Sequence, residues 1–484
     1  MEGHDGQPLA NVKLVASTGD IVPRRSSSPS LSEAVSIGHR EDAHDEVCSY
    51  FENAQWTADG TTVLTYSSSH LVSGYILPED LLSERDGPHT LQAQAHIQLP
   101  EPSNVLSGAP YFSLAEPWTQ QVLVSARDHP LQLFYLAPSA DITHSPSPIA
   151  SYPFTKARSE DFLAATSLLW PSPGTHFIAG NRNFLARFDV QRTGEEPVNR
   201  VRTIPSDRHL SKGGGVGMRG IVSALGGQPM NGETGASLVA AGTWTRWVGL
   251  YDFAQAGNCV ATWSITGAAE ETAAGGAGGI GGDGITQTIW SPCGRYLIIC
   301  ERKSRGALIY DVRVTGKLLG YLTGRNALGN QRVSCDVFPG VDGNAGFEIW
   351  SGTSSGAVNV WEAVGTTEGP SSPTWAWDAH QSTVGSVCLH SSGSVVATCA
   401  GSWEFADEDS DLSHRRRSSS QASSQSTRTS SDPDDSPADT FHMGRRNKES
   451  SLKIWSLAGL PAGTQPAEED EDLRLTEDML QTVN

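Results

Sequence analysis

Apolar residues along this chain come in short runs separated by turns of Gly, Pro, Asp or Asn, and one phrase returns seven times between Trp56 and Trp455. It consists of an apolar run, a tight turn, a second apolar run, a polar turn, and a third run ending near an aromatic. The clearest copy is ITQTIWSPCGRYLIICERKSRGALIYDV, Ile285–Val312. Short runs punctuated in this way read as strands, and their fixed order makes them one repeating unit. The pattern predicts an all-β fold, a seven-bladed WD-repeat β-propeller. Blades are expected at Ala54–Leu77, Glu116–Leu136, Thr166–Val190, Gly220–Phe253, Ile285–Val312 and Arg332–Glu362, with the seventh from Val384. The third run of that last blade, SLKIWSL, arrives only at Ser451–Leu457.

The pattern also sets the domain limits. Residues 1–47 are polar and Ser/Pro-rich and read as mostly disordered, apart from strand-like alternation at 11–17 that would close the ring from the opposite terminus. The propeller spans 48–457, interrupted by disordered insertions at about 270–283 (Gly-rich) and 404–450 (Ser/Arg/Asp-rich). Residues 458–484 form an acidic disordered tail containing EEDED, Glu468–Asp472. Closing a long loop costs little more than closing a short one, so an insertion inside blade seven is tolerable if it leaves at the surface. Basic clusters in these segments (Arg24–Ser30, Arg415–Ser420, Gly444–Lys448) suit nuclear localisation or phosphorylation of the adjoining serines.

Composition then narrows the function. A net charge of −20 over 484 residues argues against a protein that coats nucleic acid through overall charge. The two ends supply about half of that charge. Seven cysteines without a Cys-x-x-Cys pair read as reduced thiols; Cys259, Cys293, Cys300, Cys335, Cys388 and Cys399 are expected in the core. No run approaches the ~20 apolar residues of a spanning helix, so a soluble cytosolic or nuclear protein is expected. The repeated tryptophans Trp56, Trp290, Trp361 and Trp455 align at equivalent strand ends and read as packing between blades.

In a WD-type blade, the turn after the second strand and the loop entering the next blade lie on one face, here called the upper face. Those turns carry Arg127, Arg182, Arg246, Arg302, Lys303 and Arg305, and the entering loops add Arg219, Arg325, Arg332 and His380. A local basic ring on an acidic protein suits a selective polyanion binder. Trp244 and Trp247 flank Arg246, and an indole beside a guanidinium suits stacking on a splayed RNA base. The plainer alternative is that one tryptophan plugs the channel and the arginines pair with neighbouring carboxylates. No GxSxG, HExxH or P-loop occurs in its required context, and the GxGxxG forced from the Gly-rich stretch lacks a strand–turn–helix setting. No enzyme activity, cofactor or metal is expected. His380 matches the Gly-His position of WD repeats, where a histidine makes a structural hydrogen bond.

Over all seven blades, roughly Tyr50 to Leu457, the chain resembles the telomerase Cajal body protein family of WD-repeat proteins and its fungal splicing-associated relatives. The matching stretches are Asn53–Thr65, Gly242–Phe253, Glu301–Arg313, Gly324–Val333 and Gly352–Glu362. The resemblance implies a propeller that binds small nuclear RNA, of the Cajal body type or telomerase RNA, and aids its localisation or assembly into ribonucleoprotein. Matching residues on the upper face are Arg127, Arg246, Arg302, Lys303, Asn330, Gln331 and Arg332; Trp244 and Trp247 are candidates from the residues alone. The implied partners are RNA and ribonucleoprotein or splicing proteins, with no membrane and a monomeric chain. The implied location is the nucleus, in Cajal body-like bodies, with some protein in the cytoplasm. The competing expectation is a protein scaffold tied to splicing factors that never touches RNA.

Overall fold

The computed structural model describes residues 12–21, 49–136, 146–204, 218–229, 238–268, 272, 279–340, 346–405, 445–446 and 448–457. They form seven antiparallel blades, five of four strands and two of five, together with one small two-stranded ladder. Apolar side chains alternate along each strand and meet those of the next blade, so the core is a ring of seams. Leu64, Tyr66 and Val72 of blade one meet Val122, Val124 and Phe134 of blade two, and Phe51 and Val63 meet Ala397 and Ile454 of blade seven. The ring is therefore closed, and the all-β, seven-bladed expectation is met.

Closure uses both ends of the propeller. Lys13–Ser17 pairs antiparallel with Ser451–Ser456 and forms the outer strand of blade seven. Its far edge would be left open, but His89–Thr90, from a loop of blade one, adds a short parallel strand there. Gly369–Ser371 does the same for blade five. Covered edges remove a template for pairing with other chains.

Several sequence expectations change. Blade two begins at Ser103–Gly108 rather than at Glu116, which belongs to its long first turn. SNVLSG holds only two adjacent apolar residues, Val105 and Leu106, which pack against the neighbouring seams, so it shows no alternation that would mark a strand. The four tryptophans are of two kinds. Trp56 and Trp290 end first strands, and each indole donates to a first-strand carbonyl of the preceding blade, Cys388 at 2.9 Å and Gly226 at 3.0 Å. Trp361 and Trp455 lie in third strands. Cys300, Cys335, Cys388 and Cys399 are buried as expected, whereas Cys259 and Cys293 sit in exposed positions, in an outer strand and a turn. The end of the Gly-rich stretch is built into the fold: Ile280 is buried and accepts from Arg305 and Ser304. The expected disordered segments at the N-terminus, within blade seven and in the acidic tail lie almost wholly outside the described residues.

His380 does make the expected structural bonds. One ring nitrogen meets Glu449 at 2.9 Å and the other meets Thr398 at 2.8 Å, and Thr398 also accepts from Trp455 at 2.8 Å. Burial opposes ionisation of Glu449, yet bonds from His380, Lys453 and Ser451 hold its carboxyl well below the usual range. This relay anchors the point where the chain returns to blade seven after its insertion.

Candidate nucleic-acid interface

The turns between second and third strands and the loops entering each blade are knitted into one surface, because short turns leave backbone groups that only their neighbours can satisfy. Arg127 N–H donates to Pro102, Asn183 N–H to Gly220, Asp283 N–H to Arg302, and Ser354 Oγ to Asn326 at 2.8 Å. The candidate residues thus share one face, but they differ in what their side chains are already doing.

Arg246 holds the left-handed conformation (φ 64°) and grips Glu301 with two parallel bonds, Nε to Oε1 at 2.7 Å and Nη2 to Oε2 at 2.9 Å. Glu301 is almost fully enclosed, while the Arg246 side chain keeps 19% of its surface. Burial pushes the Glu301 carboxyl above its ordinary range, and Arg246 pulls it part of the way back. Gly282 leaves room for this pair: a Cβ there would crowd the Glu301 carboxylate. Arg302 bonds Asp283 at 3.0 Å, and Lys303 Nζ lies 3.8 Å from the same carboxylate. These three cations are paired, as the plainer alternative held.

Trp244 is exposed on its turn, with the Arg302 guanidinium 5.4 Å above its ring. Trp247 is not in the turn. It opens the third strand of blade four and packs, half-buried, on the seam with blade three. Arg325 also leaves the surface: it is 1% exposed and donates to Ser351, Glu301 O and Val333 O.

The loop before blade six bends into the channel. Arg332 crosses the mouth, donating to Asn104 O of blade two at 3.3 Å and to Thr166 O before blade three at 3.4 Å. Water reaches its guanidinium, yet protein surrounds it; this enclosure lowers its affinity for the proton, while Glu52 opposes the effect. Burial raises the Glu52 carboxyl and Arg332 counters it. Gln331 ties the loop to blade seven by donating to Gly401 O at 2.8 Å. Asn330 is exposed and makes no side-chain hydrogen bond among the described residues. Together these residues line a cavity of about 680 Å³ with Glu52, Asn53, Asn104, Tyr50 and Trp403, the last two rings meeting edge-to-face at 5.4 Å. Sequence reasoning looked at turns and entering loops and so missed the first-strand residues of the wall, Glu52, Asn53 and Asn104; Glu301 and Asp283 lay in view, adjoining the very motifs it chose.

Unpaired cations remain elsewhere on the ring. Arg127, Arg182, Arg219 and Arg305 are exposed and have no carboxylate partner among the described residues, although Arg305, expected in a turn, lies in the third strand of blade five, Ser304–Asp311. The arrangement offers separated positive charges around a polar well, with an indole on the rim. Among the described residues no cluster of ligating side chains could hold a metal ion, and no helix is long and apolar enough to cross a membrane.

Fold and face define the class: a WD-type seven-bladed propeller with a cation-bearing upper face and a polar central well. No family model matches the chain. Its sequence is similar to the telomerase Cajal body protein 1 of Bos taurus, 26% identical over 359 residues, and of Homo sapiens, 25% identical over 359 residues. Each match covers 74% of this chain and 58% of the relative, so the chain spans under three fifths of those proteins. It is also similar to the guanine nucleotide-binding protein negative regulator 1 of Schizosaccharomyces pombe, 24% identical over 315 residues, covering 64% of this chain and 70% of that one. The chain is thus similar in sequence to the telomerase Cajal body proteins.

Proposed function

We propose that this propeller binds a small nuclear RNA of the Cajal body type through its upper face and aids its localisation or assembly into a ribonucleoprotein in the nucleus. The observation that carries the reading is the set of exposed arginines without a carboxylate partner among the described residues, Arg127, Arg182, Arg219 and Arg305, on an acidic chain whose upper face also exposes the indole of Trp244. Guanidinium groups neutralise phosphates and position the strand; bases are then read by amides and aromatic faces. Asn330 is our candidate for such a contact, since its exposed amide makes no hydrogen bond among the described residues. The names of the mammalian relatives, which join telomerase and the Cajal body, support an RNA-containing partner. The reading asks no catalytic step of the chain.

The test is crosslinking of bound RNA to the full chain carrying Arg127→Glu with Arg182→Glu. RNA recovery should fall at least tenfold while thermal unfolding stays unchanged. Equal recovery would overturn the assignment. A scaffold that grips an acidic peptide with the same cations is a second reading, favoured by the fungal relative, whose name concerns a guanine nucleotide-binding protein. Nuclease treatment of a pull-down separates the two: partners lost with the RNA support the first, and partners retained support the second.

A further inference from the structure

Blades five and six meet at a pair of buried thiols that the upper face does not use. Cys300 lies in the second strand of blade five, Tyr296–Glu301, and Cys335 opens the first strand of blade six, Cys335–Pro339. Their Sγ atoms are 3.3 Å apart, and both residues are buried. The backbone of Cys335 is pinned on both sides by one side chain: Gln287 donates to its carbonyl at 2.9 Å and accepts from its N–H at 2.8 Å.

Arg325 supplies the second observation. Its guanidinium is enclosed and bonded to a hydroxyl and two carbonyls, with no carboxylate within ion-pair distance among the described residues. Burying this charge is costly, and what favours it is the thiols of Cys335 and Cys300 and, more weakly, the carboxylate of Glu301, which Arg246 already holds. The bond from Cys300 and the guanidinium both favour the Cys335 thiolate against burial, while Cys300 is pushed well above its ordinary range by that same bond and by burial. One sulfur is thus disposed as a nucleophile and the other keeps its proton, a division suited to stepwise oxidation.

We propose that Cys335 and Cys300 are a redox-active dithiol that a hydroperoxide converts to a disulfide joining blade five to blade six. The Cys335 thiolate attacks the terminal peroxide oxygen, the O–O bond breaks, and the leaving oxygen takes a proton to become water or an alcohol. Cys335 is then a sulfenic acid. Cys300, on losing its proton, attacks that sulfur; the S–S bond forms as the S–O bond breaks, and the released hydroxide takes up the proton as water. Two thiols and one hydroperoxide give one disulfide, one water, and one alcohol or second water. Closing from 3.3 Å to the ~2.0 Å of an S–S bond asks for little movement across the seam. Entry of the oxidant waits on local opening of the seam, so linkage forms after the exposed Cys259 and Cys293 have reacted. The proposal stands independently of RNA binding.

The test treats the full chain with hydrogen peroxide, alkylates the remaining thiols under denaturing conditions, and maps the peptides by mass spectrometry. A Cys300–Cys335 peptide pair lighter by two hydrogens, absent without peroxide and reversed by dithiothreitol, is expected. Recovery of both residues as alkylated thiols once Cys259 and Cys293 are fully oxidised would overturn the proposal, as would separate sulfinic or sulfonic acids without linkage. In a Cys300→Ser variant, Cys335 should accumulate as a sulfenic acid that dimedone captures. Dimedone labelling absent there, but present on Cys300 in a Cys335→Ser variant, would overturn the assigned roles.

Discussion

Blades two and three and blades four and five present the same kind of arginine-bearing turn to the same face, yet the two pairs of blades use it differently. At Arg246 and Arg302 the loop that enters blade five folds back and brings Asp283 beside Arg302, while Glu301 rises from the adjoining strand end to meet Arg246. Each cation is thereby cancelled. At Arg127 and Arg182 no carboxylate lies within ion-pair distance among the described residues, although Asp128 follows Arg127 in its turn, and the guanidinium groups stay available. A basic turn in a repeat is therefore only a candidate; the neighbouring loop decides whether the charge serves the fold or a ligand.

The largest effect that would break this contrast is on stability. Arg246→Ala strands Glu301, an enclosed carboxylate, and should cost about 3 kcal/mol in urea unfolding at pH 7. The sign with pH follows from burial, which already raises the folded-state affinity of Glu301 for its proton. A folded pKa above the unfolded one contributes stability below the unfolded value and loses it as pH rises through the folded one. Removing Arg246 widens that gap, so the defect should shrink as pH falls from 7 towards 5. A defect independent of pH would mean the pair is not the cause.

Next comes the free pair. Arg127→Glu with Arg182→Glu should leave stability within ~0.5 kcal/mol, as befits exposed positions. It should also flatten the salt dependence of RNA affinity by a slope of about 1.4, the value for two lost phosphate contacts on a single strand. Filter binding across a salt series measures this, and an unchanged slope would place the RNA elsewhere. Trp244→Ala should weaken RNA binding by roughly 1–3 kcal/mol if a base stacks there, with little change in folding. The smallest effect is the inverse experiment. Asp283→Asn releases Arg302 and Lys303, and RNA affinity should rise about 1.4- to fivefold, matching the ~0.2–1 kcal/mol of an exposed ion pair. A fall in affinity would mean that Asp283 orders the turn for binding rather than masking it.

What the sequence determined is the repeat and all that follows from local spacing. Apolar alternation and turn residues act over a few positions, so seven blades, their order and the structural role of His380 were legible before any coordinates. The strand-like run at 11–17 was legible as well, although only the fold shows Lys13–Ser17 lying on Ser451–Ser456. The tertiary structure alone decided which polar side chains are spent. Arg246 meets Glu301 across 55 positions of chain, and Arg332 crosses the channel mouth to Thr166, 166 positions away. Arg325 turns inward to Ser351 and the carbonyls of Glu301 and Val333 instead of outward to a ligand. A charge reads the same in sequence whether it is free, paired or buried; its partner is set by packing between distant blades, and spacing along the chain does not encode that packing.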